Sequence, residues 1–120
     1  MVKQLSYTKF ENEILPELRH KLNKAESTED VKKFFFQTIR NLFERILEEK
    51  SVIQFEDIAL LPDKDPPYGF SKRFSSSEKF QAVWKDSDFS NVMDRLAKSA
   101  VKRYIRLERN PEKTDLKIRM

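Results

Sequence analysis

Seventeen residues in the first half of the chain, Val31 to Leu47 (VKKFFFQTIRNLFERIL), hold more apolar side chains than one surface-lying helix needs. At 3.6 residues per turn, Val31, Phe35, Phe36, Ile39, Leu42, Phe43, Ile46 and Leu47 fall within an arc of roughly 160°. Lys33, Gln37, Arg40, Asn41, Glu44, Arg45 and Glu48 fill the opposite side. A surface helix carries a stripe of only about 100°. The segment is therefore expected near the middle of the fold, with neighbours on two flanks. Two residues depart from the pattern: Lys32 falls inside the apolar arc, and Phe34 falls on the polar side.

The rest of the sequence supplies candidates for those neighbours. A first helix, capped by Ser6 or Thr8, repeats Phe10, Ile14, Leu18 and Leu22 at four-residue spacing, with Leu15 widening the stripe. Pro16 interrupts it, but the period continues through the proline, which predicts a kinked helix or a restart at Pro16. Ser27 and Asp30 have the spacing of a capping box at the start of the second helix, and the two helices are expected to pair antiparallel. Beyond Lys50 the segment SVIQFEDIALL is rich in β-branched and aromatic residues. Ile53, Phe55, Ala59 and Leu61 share a face at period two, as in a strand or an extended packing segment.

Pro62 to Ser77 contains Pro62, Pro66, Pro67 and the single glycine, Gly69, and reads as a loop pinned by Tyr68, Phe70 and Phe74. Ser75 and Glu78 have capping-box spacing ahead of a short helix with Phe80, Val83 and Trp84. Asp88 or Ser90 then caps a last helix, whose apolar side runs from Val92 through Met93, Leu96, Ala97, Ala100, Val101 and Tyr104 to Ile105. It stops at Asn110-Pro111. The expectation is a mainly α, compact bundle of about four helices over 7–25, 28–50, 77–85 and 89–109. A long Pro-containing loop and a small β component at 52–61 and 115–119 complete it, with an α+β domain as the alternative. Residues 1–120 form one domain on this reading, and 110–120 are a flexible tail or an edge strand.

Composition removes several function classes. There is no cysteine, hence no disulfide, thiolate metal site or Cys nucleophile, and the expected location is cytoplasmic. Glu11 and Glu13 interrupt the N-terminal segment before any signal-peptide core, and no apolar run approaches the ~20 residues of a membrane helix. One glycine permits neither a phosphate-binding loop nor a dinucleotide fingerprint. The one histidine, His20, excludes a multi-histidine metal site within one chain and lies opposite Phe10 and Ile14 on the helical wheel. No Gly-x-Ser-x-Gly elbow accompanies any serine. Neither a cofactor, a metal nor a catalytic set is expected.

What remains is charge. Residues 1–60 hold ten Lys/Arg against eleven Asp/Glu, and residues 61–120 hold fourteen against nine, so the net charge of +4 arises in the second half. Arg95, Lys98, Lys102, Arg106 and Arg109 fall within about 80° on the last helix, flanked by Arg103. Such a ridge can follow a phosphate backbone or grip an acidic protein surface, and it can equally be a solvated face that complements the helix dipole. Lys72 and Arg73 alternate with Tyr68, Phe70 and Phe74, an interleaving suited to unpaired nucleotides as well as to a loop anchored on the core. Glu44, Glu48 and Glu49 crowd the C-terminal end of the second helix, where the dipole disfavours them. With Phe34 they make a candidate interface for another protein or a second copy of the chain, one in which the acidic end meets the basic ridge. A non-enzymatic interaction or regulatory module is thus the first expectation, a nucleic-acid-binding protein the second, and a small-ligand binder or enzyme with a pocket among the phenylalanines the third.

Overall fold

The computed structural model describes residues 7–48, 53–85 and 87–109. The chain is mainly helical, with one two-stranded antiparallel sheet. Helices α1 (Thr8–Lys24) and α2 (Thr28–Leu47) are followed by a 3₁₀ turn (Phe55–Asp57) and strands β1 (Ile58–Leu60) and β2 (Tyr68–Phe70). Then come the short α3 (Lys72–Ser75), α4 (Glu78–Trp84) and the long α5 (Phe89–Arg109).

α2 is the centre, as its wide stripe requires. Val31, Phe35, Phe36, Ile39, Leu42 and Phe43 are buried, while Ile46 and Leu47 pack at the edge. α1 lies antiparallel to it, tied by Arg45 to Glu17 at 2.9 Å and to Glu13 at 3.9 Å. α5 is also antiparallel to α2: Phe43 near the end of α2 meets Phe89 at the start of α5, with ring centroids 5.0 Å apart. At the far end the Lys32 ammonium sits 5.7 Å from the Tyr104 ring. It follows that α1 and α5 run parallel. Their contacts advance together, from Tyr7 with Asp88, through Glu11 with Arg95, to Ala25 with Arg103.

Helix starts are fixed by local chemistry. Ser27 Oγ accepts from Asp30 N–H at 3.1 Å, while the Asp30 carboxylate reaches back to Glu26 N–H, one residue earlier than a strict capping box. The N-cap residue of α1, Tyr7, makes no side-chain capping bond, and Ser6 lies outside the described residues. The Asp88 carboxylate accepts from Tyr7 N–H (2.7 Å) and the Thr8 hydroxyl (3.2 Å), capping one helix from the foot of another. Pro16 lies inside a continuous α1. α4 is capped by Ser77, not Ser75, and Ser71 caps the unforeseen α3.

The middle of the chain departs most from the sequence reading. β1 pairs with β2 inside the expected loop, in the register Ile58↔Phe70, Ala59↔Gly69, Leu60↔Tyr68, and the expected strand at 115–119 lies outside the described residues. The 3₁₀ turn shifts the phase of the preceding segment. The buried apolar residues are accordingly Ile53, Ile58 and Leu60, and Phe55 stands 55% exposed against Phe36. A Cβ at Gly69 would meet the Leu61 side chain, Cδ1, at 3.1 Å, so a larger residue there requires Leu61 to shift by a few tenths of an ångström. Tyr68, Phe70 and Phe74 do anchor the segment. They join Phe43, Phe80, Trp84 and Phe89 in an aromatic cluster with centroid separations of 4.9–6.5 Å.

Candidate functional site

Parallel packing of α1 and α5 decides the fate of the basic ridge. In its first half the ridge is spent on the fold. The Arg95 guanidinium forks onto the carboxylate of Glu11, with Nε and Nη2 at 2.6 and 2.7 Å, and Glu11 is only 5% exposed. Those hydrogen bonds, together with the charges of Glu11, Asp88 and Asp94, outweigh burial and raise the affinity of Arg95 for its proton. Lys98 pairs with Asp94, one turn earlier on the same helix, at 2.9 Å, and the hydrogen bond and charge of Asp94 push its pKa up.

The second half faces outward around a groove of about 230 Å³ between the C-terminal halves of α1 and α5. Arg19, Leu22 and Asn23 form one wall and Ser99, Lys102, Arg103 and Arg106 the other. No carboxylate lines it among the described residues. Arg103 is oriented by Nη2, which donates to the Ala25 carbonyl at the end of α1 at 2.9 Å; its Nε is buried with no hydrogen-bond partner. Farther along α5 a second, open hollow of about 400 Å³ is lined by Lys102, Ile105, Arg106 and Arg109.

Two parallel helices bring two negative dipole ends together, and cations there are expected on that ground alone. Lys21 and Lys24 in the last turn of α1, and Arg106 and Arg109 in the last turn of α5, meet that need. The dipole effect falls off within one turn, so it does not account for Arg19, Lys102 and Arg103.

The other predicted residues are dispersed. Arg73 binds Asp57, a carboxylate only 1% exposed that also accepts from Ser71 Oγ (2.6 Å) and Gln54 N–H (2.8 Å). Burial opposes the Asp57 charge, but the hydrogen bonds of Ser71 and Gln54 and the charge of Arg73 prevail and hold the carboxyl below its ordinary range. Lys72 is exposed at the start of α3, and the neighbouring rings pack on one another, with Tyr68 and Phe74 buried and Phe70 half-buried. Phe34 is half-buried and packs against the core. Glu44 and Glu48 sit at the end of α2, beside the start of α5, and so lie at the opposite end of the fold from Lys102, Arg106 and Arg109. The acidic end and the outward basic residues do not meet within one chain. Glu49 lies outside the described residues.

Arg19 and Asn23 do not stand out in the sequence, because only the parallel α1–α5 pairing brings them to Ser99 and the cations of α5. The buried acids Glu11 and Asp57 also look ordinary in the sequence. Among the described residues no three His, Asp or Glu side chains cluster as metal ligands, and no helix is long and apolar enough to cross a membrane. Neither hollow is lined by a phenylalanine. No protein-family model, curated protein or solved structure matches this chain.

Proposed function

We propose that this protein is a non-enzymatic interaction module that docks an acidic segment of a partner protein in the α1–α5 groove. The observation that carries this is the convergence of Arg19, Lys102 and Arg103 from two helices on one concave surface without a lining carboxylate among the described residues. Like charges brought together cost energy unless an anion joins them, and a preoriented guanidinium such as that of Arg103 loses less freedom on binding. A nucleic-acid backbone is a poorer match. With Arg95 and Lys98 engaged, the outward run from Lys102 to Arg109 extends only about 10 Å along the helix, too short to follow many phosphates.

Titration of a fluorescent Glu-rich peptide, and separately of duplex and single-stranded oligonucleotides, at two salt concentrations tests the reading. Peptide binding that weakens with salt and disappears in Lys102→Glu is expected. Oligonucleotide binding without peptide binding, or peptide binding that is indifferent to Lys102→Glu, would overturn it.

A further inference from the structure

The groove presents more than positive charge. Its lining joins three guanidiniums and an ammonium with the Asn23 amide and the Ser99 hydroxyl, a donor set concentrated on one small hollow instead of strung along a surface. Arg103 is held by its bond to Ala25, leaving further N–H groups of a rigid fork for a ligand. A carboxylate brings one charge and two oxygens to such a place. A phosphomonoester brings nearly two charges and three acceptor oxygens on one phosphorus, and planar guanidinium forks match it bidentately.

We infer that the centre of the α1–α5 groove is a phosphoryl site, taking a phosphoserine or phosphothreonine side chain of a partner polypeptide. This rests on the docking reading above and specifies what sits at its centre. Arg19 and Lys102 approach from opposite walls, Arg103 supplies the oriented fork, and Asn23 and Ser99 donate to the remaining oxygens. Arg106 borders the same hollow.

The test uses the full chain, isotopically labelled, with arginine Nε–H and backbone amide resonances as reporters. The probes are N-acetyl-phosphoserine amide and N-acetyl-aspartate amide at one fixed ionic strength, followed by a Glu-rich peptide with and without a central phosphoserine. The phosphoserine probe is expected to shift Arg19, Asn23, Ser99 and Arg103 saturably, with affinity about tenfold or more above the aspartate probe. That affinity should fall as pH drops through about 6, where the phosphate loses its second charge. Lys102→Glu, at an exposed position, should abolish the shifts with the fold retained, and Arg103→Lys should weaken them by loss of the fork.

Equal affinity for the two small probes, or shifts spread over every surface cation, would overturn the phosphoryl site. If the acidic peptide docks in the groove and phosphorylation does not tighten it, this inference fails and the docking reading stands. If neither peptide binds, or if a single-stranded oligonucleotide binds more tightly than the phosphopeptide, both fail.

Discussion

The Glu11–Arg95 pair shows how asymmetric a charge pair can be. Glu11 is buried and Arg95 is about half exposed, so removing one partner is not equivalent to removing the other. Arg95→Ala leaves a carboxylate in the α1–α5 seam without its fork and is expected to cost about 2–3 kcal/mol. Glu11→Ala frees an arginine that water can reach and should cost about 1 kcal/mol. Urea denaturation of both variants gives the comparison, and equal losses would contradict it. Asp57 leads to a pH prediction. Its folded carboxyl binds a proton more weakly than the unfolded chain's aspartates, which titrate near about 3.9. Its contribution is therefore full above that value and is lost as pH falls through the lower folded value. In Asp57→Asn, stability at neutral pH should drop, and the acid-side decline between pH of about 5 and 3 should flatten, as thermal melts across that range would show.

Elements were legible where periodicity alone decides them. The stripe of α2, the four-residue repeat of α1 and the apolar side of α5 became buried faces because each is long and strongly patterned. Residues 53–77 were less legible because their strands are three residues long, too short for period two to be distinguished from a 3₁₀ turn followed by a phase shift. Glu48 marks another limit, since nothing in its neighbours announces that it ends α2 in the left-handed conformation, at φ 57°. There it carries both a Cβ penalty and an unfavourable charge at a helix C-terminus. Glu48→Gly is expected to stabilise the protein by about 1 kcal/mol, read as a higher urea midpoint with unchanged slope. Pro16 withholds a donor in the middle of α1, and its neighbours Asn12 and Glu17 are exposed. Pro16→Ala should add about 1–3 kcal/mol, and no gain would mean that the shape proline gives α1 is needed to fit α2.

At the scale of the molecule, the information missing from the sequence is which helices are neighbours. The six cations of α5 look alike on a helical wheel, and only the parallel pairing with α1 separates Arg95, locked to Glu11, from Lys102 and Arg103 at the groove. The same pairing opposes binding to stability. Lys102→Glu relieves repulsion in the groove and should raise stability by about 0.5 kcal/mol even as it removes binding, a trade-off measurable on one purified variant. Tyr7 and Asp88, which join the feet of α1 and α5, are 81 residues apart in the sequence. On a ribosome adding about 5–20 residues per second, α1 therefore waits roughly four to sixteen seconds for the helix that covers and caps it. During that interval the nascent α1–α2 hairpin displays an apolar seam that closes only once α5 has been made.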